Sequence, residues 1–169
     1  MKKLAITGYP SNPPYNLFEQ LHSLEELYLY GWENGGFTDI EYILHLQSLR
    51  VLSLIFNYRI KDYERIGELT NLSELNLQYY TEGDDTSWTH TLLKLKHIAL
   101  YSIKKIEDVS TLSKLPNLET VILYRSTVNN IESLLESGSI RRIGNPRNRI
   151  EDWKLFYDKG IIVFDEGDR

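Results

Sequence analysis

The 169-residue sequence contains no cysteine, 5 prolines and 10 glycines. Without cysteine the chain forms no disulfide and no thiolate metal site, so its stability must come from packing alone. No uncharged apolar run approaches the roughly 20 residues that span a bilayer, and the apolar stretch after Lys3 is too short for a secretory signal. We therefore expect a cytoplasmic chain that does not bind membranes.

The composition is 41% hydrophobic and 25% charged, which predicts an ordinary globular protein with residues 1–169 in one domain. Its formal net charge of -5 argues against a general nucleic-acid binder. The charge is uneven: residues 1–93 hold 13 acidic and 6 basic side chains, whereas residues 94–169 hold 11 and 13. The N-terminal part is therefore acidic and the C-terminal part mildly basic.

An apolar motif recurs along the chain at nearly constant spacing. Its clearest copy runs from Leu49 to Asn57 and reads L-x-x-L-x-L-x-x-N. Related copies begin at residues 1, 24, 49, 72, 95, 118 and 140, at intervals of 23, 25, 23, 23, 23 and 22 residues. Such a regular period predicts a protein built from stacked repeats.

Each repeat predicts a short strand and a return segment. The x-L-x-L-x part alternates with the period of a strand that buries one face. In the returns the apolar residues step by three, as in Ile106, Val109, Leu112, Leu115 and Leu118. Five such positions drift about 240° around an α-helix and cannot share one face, so a 3₁₀ or extended return fits better.

These repeats resemble the leucine-rich repeat family, in particular its short subclass of about 22–23 residues found in phosphatase-regulator and internalin-like repeats. The resemblance covers residues 1–148. It implies an α/β solenoid: a right-handed horseshoe with a parallel concave β-sheet and 3₁₀ or irregular convex returns. The family's asparagine position departs from the pattern, so we expect no regular buried amide ladder. It holds Tyr9, Trp32, Asn57, Tyr80, Ile103, Ser126 and Asn148.

Residues 149–169 predict a C-terminal cap made of a helix and a strand. Asn148 and Glu151 match a capping box, and Gly160 would end the helix that follows. The apolar segment 161–164 would then add a strand that closes the open end of the core.

Side chains between the core leucines must point out of the concave face, because side chains alternate along a strand. They form an aromatic stripe on the order of 500 Å², close to the largest apolar patch that a monomer usually exposes. Tyrosines that merely pack on one another across strands are the alternative interpretation. We favour a protein-binding face, since tyrosine and arginine often anchor interfaces. The candidate binding residues are Glu26, Tyr28, Tyr30, Trp32, Ile55, Phe56, Glu74, Gln78, Tyr79, His97, Tyr101, Tyr124, Arg125 and Arg142.

Motifs of known catalytic chemistry are missing. The sequence has no H-E-x-x-H, no G-x-S-x-G and no glycine-rich phosphate loop. Glu74 and His97 occupy the same column in neighbouring repeats, and we interpret them as a pair within a binding face rather than an acid–base couple. We therefore expect no enzymatic activity, no metal and no cofactor.

The sequence predicts a non-enzymatic module that binds a protein partner, for example a stoichiometric inhibitor such as a bacterial immunity protein that neutralises a toxin. An acidic N-terminal half would suit a basic target such as a nuclease. A regulatory scaffold that positions an enzyme is one alternative. RNA binding through stacked tyrosines is another, disfavoured by the net acidity, and would use the C-terminal arginines. These are Arg141, Arg142, Arg147 and Arg149. The partner's identity and the oligomeric state stay open.

Overall fold

The computed structural model describes residues 1–8, 15–31, 37–57, 60–78, 85–144 and 153–165. Within these ranges eight strands form one parallel sheet, and their order in the sheet is their order in the chain. Equivalent residues of successive repeats pair directly, so the predicted parallel sheet is confirmed. The strands are β1 (Lys3–Thr7), β2 (Glu26–Tyr30), β3 (Val51–Ile55), β4 (Glu74–Gln78), β5 (His97–Tyr101), β6 (Thr120–Ile122), β7 (Arg142–Gly144) and β8 (Ile162–Phe164).

Short helical segments return the chain from one strand to the next. In the described ranges, 3₁₀ helices cover Tyr15–Gln20, Tyr63–Glu68, Ser87–Thr91 and Ile131–Glu136, as the three-residue spacing predicts. Two other returns contain one α-helical turn each, α1 (Glu41–Leu44) and α2 (Ser110–Ser113). Residues three apart on an α-helix are rotated by about 60° from a common face. Within a single four-residue turn this rotation is small, so the apolar side chains still face the core.

The repeated apolar residues fill the space between the sheet and the returns. Across five strands the equivalent residues Leu27, Leu52, Leu75, Ile98 and Val121 are each at most 1% exposed. Complete burial of one such side chain contributes roughly 1.5–3 kcal/mol. Each repeat therefore completes its core by packing against its neighbours, as expected for a solenoid.

Two polar side chains bridge neighbouring coils at the family's asparagine position. Asn57 is buried, accepts a hydrogen bond from Phe37 N at 2.8 Å and donates one to Leu29 O at 3.0 Å. Ser126 accepts a hydrogen bond from Ile103 N at 3.1 Å, while Ile103 itself is a buried apolar residue. The bridges are therefore discontinuous, as predicted. Four other residues of this position lie outside the described residues: Tyr9, Trp32, Tyr80 and Asn148.

A second repeated polar position begins the returns, and our sequence analysis missed it. Asp39, Asp85 and Asp108 each accept a hydrogen bond from the backbone N–H two residues later, at 3.0, 2.8 and 2.8 Å. Such bonds satisfy N–H groups that a helix start leaves unpaired. Asp108 also accepts a hydrogen bond from Asn130 Nδ2 at 2.5 Å. Hydrogen bonds from Asn130 and then from Ser110 hold the pKa of Asp108 below its ordinary value.

The predicted helix–strand cap is present in the described part of the C-terminal region. Helix α3 (Trp153–Asp158) buries Trp153 and Phe156, and β8 pairs in parallel with β7. Gly160 follows the helix with a φ of 76°, a conformation that favours glycine. The predicted capping-box residues Asn148 and Glu151 lie outside the described residues.

Candidate functional site

Three columns of side chains cross the concave surface of the sheet, because the strands pair in register. The first column holds Lys3, Glu26, Val51, Glu74, His97, Thr120, Arg142 and Ile162. The second holds Ala5, Tyr28, Ser53, Asn76, Ala99, Ile122, Gly144 and Phe164. The third holds Thr7, Tyr30, Ile55, Gln78 and Tyr101, and Tyr124 follows β6 at the equivalent sequence position.

The described candidate residues reach solvent, in contrast to the buried leucines between them. His97, Arg125 and Arg142 are exposed, and Phe56 is 37% exposed. The remaining described candidates are partly exposed: Glu26, Tyr28, Tyr30, Ile55, Glu74, Gln78, Tyr101 and Tyr124. Trp32 and Tyr79 lie outside the described residues. The predicted inside and outside positions are thus confirmed here, while a role of these residues in binding stays a prediction.

Small residues make an exception on the concave face. The sequence pattern predicts that Ser53, Ala99 and Thr120 point away from the core, and the register places them in the face columns. Their expected exposure is wrong, because all three are buried. Each has a shorter side chain than at least one of the residues paired with it on the adjacent strands. The longer side chains therefore project further from the sheet than these three.

At the N-terminal end of the face, polar groups bind one another. Lys3 Nζ lies 3.1 Å from Glu26 Oε2, and the hydroxyl of Tyr28 donates to the same oxygen at 3.1 Å. The Lys3 ammonium also lies 4.6 Å from the ring centroid of Tyr28. The hydrogen bond from Lys3 lowers the pKa of Glu26, and the same contact raises the pKa of Lys3. The charge of this carboxylate is therefore compensated within the chain.

Glu74 and His97 are register partners on β4 and β5, as the repeat spacing predicts. Glu74 Oε1 accepts a hydrogen bond from Asn76 Nδ2 at 2.9 Å. Among the described residues the ion pairs do not include one between Glu74 and His97. The two side chains are therefore neighbours on the face without the contact that the sequence suggested.

At the C-terminal end of the face, cations lie over aromatic rings. The Arg142 guanidinium is 4.7 Å from the ring centroid of Phe164. The Arg125 guanidinium is 5.2 Å from the centroid of Tyr124, and Tyr124 packs edge-on against Tyr101 at 6.5 Å between centroids. We call this group, which includes an adjacent isoleucine, the cation–aromatic cluster: Tyr101, Ile122, Tyr124, Arg125, Arg142 and Phe164.

Sequence reasoning missed two members of the face because it treated β8 only as a lid. The pairing of β7 with β8 sets Ile162 beside Arg142 and Phe164 beside Gly144, so both side chains extend the concave columns. A Cβ atom on Gly144 would lie 3.0 Å from Ile122 Cγ2 and 3.2 Å from Phe164 Cζ. Glycine therefore lets these two side chains approach each other above the sheet. Residues 161–164 are apolar throughout, so the sequence offers no alternation that separates the face residues from the core residues of β8.

Residues just beyond several strands adopt a left-handed backbone conformation. Phe56, Ser102 and Arg125 have φ values of 59°, 59° and 56°, and Gly8 has the equivalent position with 66°. For residues other than glycine this conformation costs roughly 1–2 kcal/mol. Phe56 and Arg125 are both candidate binding residues, so two bulky side chains occupy a strained position beside the face.

Features of other site classes are missing from the described ranges. No group of three or more His, Asp or Glu side chains converges there as a metal site would require. No helix in these ranges combines the length and the apolar character needed to cross a bilayer. We take the concave surface as the candidate site because the described candidate residues reach solvent there.

No protein-family model and no curated protein matches the sequence. A leucine-rich repeat protein of Leptospira interrogans is similar in structure, with a TM-score of 0.72 and 17% identity over 91% of this chain and 40% of that chain. Internalin C2 of Listeria monocytogenes is similar with a TM-score of 0.63 and 18% identity, over 95% of this chain and 76% of that chain.

The ectodomain of the Arabidopsis receptor kinase HAESA, solved in complex with a peptide hormone, is similar with a TM-score of 0.60 and 17% identity. That likeness covers 84% of this chain and 24% of the receptor chain. This chain thus spans less than half of the Leptospira and Arabidopsis chains. The repeats in the sequence, the single parallel sheet and these likenesses together show that the chain has the leucine-rich repeat fold.

Proposed function

We propose that the chain is a non-enzymatic module that binds one protein partner on its concave face. The observation that carries this proposal is the row of partly exposed aromatic rings, Tyr101, Tyr124 and Phe164, on a sheet whose leucines on β2 to β5 are buried. Aromatic and arginine side chains dominate the energetics of many protein interfaces. A sheet held by a continuous core also presents them with little ordering cost on binding.

The dimensions of the face suit a protein partner. Strands in a sheet lie about 4.8 Å apart, so eight strands give a surface on the order of 35 Å long. A standard protein interface takes about 800 Å² from each side, which a surface of this length can supply. The peptide hormone bound by the HAESA ectodomain supports the view that this fold accommodates a protein segment.

The more specific form of the proposal is a stoichiometric inhibitor, such as a bacterial immunity protein that neutralises a toxin. A binder without a catalytic group of its own inhibits its partner by covering the surface that the partner needs for its activity. The acidic balance of residues 1–93 supports a target with a basic surface, because opposite charges speed association and fix orientation. A scaffold that positions an enzyme would use the same face and differ only in its effect on the partner's activity.

The structure gives less support to RNA binding. Arg141 donates hydrogen bonds to the carbonyls of Ile140 and Gly138, whereas Arg142 lies over the ring of Phe164 on the concave face. These two neighbouring arginines therefore make contacts in different places. The other two arginines of the predicted cluster, Arg147 and Arg149, lie outside the described residues.

Affinity capture from the native host tests the proposed function when wild type is compared with two variants. Tyr101→Ala combined with Tyr124→Ala removes the central rings of the face. Tyr157→Ala is the matched control, because Tyr157 is 58% exposed on α3, which packs against the outer segment Ile131–Glu136. We expect one protein to be retained by wild type and by the control and lost with the double variant. The same retained proteins with all three baits would contradict the proposal.

The captured protein then separates the two modes of action. Its own activity is measured while increasing amounts of this chain are added. An inhibitor abolishes the activity at an equimolar ratio, whereas a scaffold leaves the activity of the isolated partner unchanged.

A further inference from the structure

The charge of the concave face changes along its length. On β1 to β4 the face columns carry the carboxylates of Glu26 and Glu74, with Lys3 bound to the first. On β5 to β8 the basic side chains of the three columns are His97 and Arg142, and Arg125 follows beside Tyr124, while the acidic Asp165 follows Phe164 after β8. The carboxylates of the face columns therefore lie on β2 and β4, and the arginines lie on β7 and just after β6, towards the C-terminal end.

Arg142 is held in place and remains able to bind an anion. It stands 4.7 Å over Phe164, between Thr120 and Ile162 in its column, and within the described part of the chain it forms no ion pair. A guanidinium stacked on a ring keeps its N–H edge directed sideways, where it can bind a carboxylate through two hydrogen bonds. Because stacking already restricts the side chain, little further entropy is lost on binding.

An apolar surface adjoins this cation. Gly144 allows the side chains of Ile122 and Phe164 to close over the sheet, and Ile162 beside Arg142 is 57% exposed. A ligand that satisfies both features carries a carboxylate next to an aromatic or aliphatic group. Acidic side chains flanking apolar ones in a protein segment have this combination.

The ring geometry favours a protein segment over single-stranded RNA. Bases stack on open ring faces, but here Arg125 covers one face of Tyr124 and Arg142 covers one face of Phe164. Tyr101 and Tyr124 meet at 62°, so they do not form a flat platform. The net charge of -5 also weakens attraction to a phosphate backbone.

We propose that the cation–aromatic cluster docks an acidic segment of the protein partner, with a carboxylate on Arg142 and a neighbouring apolar side chain on Ile122 and Phe164. Glu74, on the middle strand β4, disfavours a second carboxylate of the segment at that position, because like charges would meet there. The inference rests on the proposed function and adds the chemistry of the bound segment.

Short fluorescent peptides of defined composition test this inference. The first contains aspartate and phenylalanine, the second lysine and phenylalanine, and the third aspartate and serine. We expect the first to bind at least about tenfold more tightly than either of the others, since only it offers both the charge and the apolar group. Fluorescence polarisation at constant ionic strength measures the three affinities.

Variants at Arg142 locate the binding. Arg142→Glu and the milder Arg142→Gln should each weaken the aspartate–phenylalanine peptide by about tenfold or more. Lys114→Glu carries the same charge change as the first variant and should leave affinity unchanged, because Lys114 follows α2 in a return. Thermal unfolding checks that each variant is folded. If Arg142→Glu does not fold, the uncharged Arg142→Gln variant provides the test.

Several results would overturn the inference. These are equal or tighter binding of the lysine peptide, unchanged affinity in both Arg142 variants, tighter binding of an oligouridylate, or no aspartate–phenylalanine binding at about 1 mM. The proposed function fails separately, through the capture experiment. If the lysine peptide binds and Tyr101→Ala with Tyr124→Ala abolishes that binding, the protein-binding face stands and only its preference for an acidic segment is wrong.

Discussion

The two ends of the concave face are built on one repeated core and present different chemistry. At the N-terminal end, Glu26 binds Lys3 and Tyr28, so the polar groups satisfy one another. At the C-terminal end, Arg142 lies on Phe164, so a cation rests on an apolar surface. The first arrangement leaves little unsatisfied charge for a partner, whereas the second combines a charge with apolar area.

This difference shows that the face residues vary from repeat to repeat while the core residues stay apolar. The leucine columns continue across both ends, since each repeat must fill the same interior. The face columns are free of that requirement and vary from Lys3 to Arg142. Substitutions in the core should therefore act alike at the two ends, and substitutions on the face should not.

The largest effects are expected in the core, equally at both ends. Leu29→Ala and Leu100→Ala each remove a side chain that is 1% or 2% exposed. Each should lower the free energy of unfolding by roughly 2–5 kcal/mol, through lost burial and the cavity left behind. Urea denaturation followed by circular dichroism measures both. A cost below about 1 kcal/mol at one end would show that the repeat packs there differently.

The bridge between coils should be stronger at Asn57 than at Ser126. Asn57→Ala removes the hydrogen bond from Phe37 N and those to Leu29 O and Ile55 O, and we expect a cost of about 1–3 kcal/mol. Ser126→Ala removes the bond from Ile103 N of 3.1 Å and two longer contacts, to Leu100 O and Tyr124 O, so about 1 kcal/mol is expected. The same urea titrations test this order, and an equal or reversed order would contradict it.

The return that begins at Asp108 should contribute to stability in a pH-dependent way. Asp108→Ala removes a helix-start bond and the bond from Asn130, at an expected cost near 1 kcal/mol at pH 7, whereas Asp39→Ala should cost less. Because the pKa of Asp108 is lowered by folding, its charge stabilises the protein above the ordinary value of 3.8 and this contribution is lost as pH falls below it.

Urea denaturation at neutral pH and at about pH 3 checks the prediction for Asp108. The difference between wild type and Asp108→Ala should shrink at the lower pH. A difference that stays constant or grows would show that the ionised carboxylate does not contribute.

The smallest changes in stability are expected at the left-handed positions. Phe56→Gly and Arg125→Gly relieve the strain of φ values near 60° but lose part of a side chain, so each should change stability by less than about 1 kcal/mol. Ser102→Gly, with φ 59°, is the control that loses only a hydroxymethyl group. Thermal unfolding measures all three variants. A loss above about 2 kcal/mol would show that the side chain stabilises the fold itself.

The fold could be predicted from the sequence because every repeat has the same alternation of core and surface residues. Leu100 and Tyr101 are adjacent and opposite in burial, and the alternation alone places the first inside and the second outside. The same rule located the described candidates on the face. It failed to predict burial where side-chain size matters, as at Ser53 and Ala99, because a period carries no information on what covers a small residue.

Contacts between distant segments could not be predicted in this way. The approach of Phe164 to Arg142 depends on the register in which β8 pairs with β7, which the uniformly apolar residues 161–164 do not specify. The bond from Asn130 to Asp108 crosses between coils, and Ser126 takes the place of an asparagine through a hydroxyl group. Each of these depends on three-dimensional position and not on a local pattern.

The affinity of the captured partner for two tyrosine-pair variants tests the central claim most directly. One variant carries Tyr28→Ala and Tyr30→Ala, and the other carries Tyr101→Ala and Tyr124→Ala. Both should keep stability within about 1 kcal/mol of wild type. Isothermal titration should show binding abolished in the second variant and only moderately weakened in the first. Equal affinities of both variants and wild type would contradict recognition on the concave face.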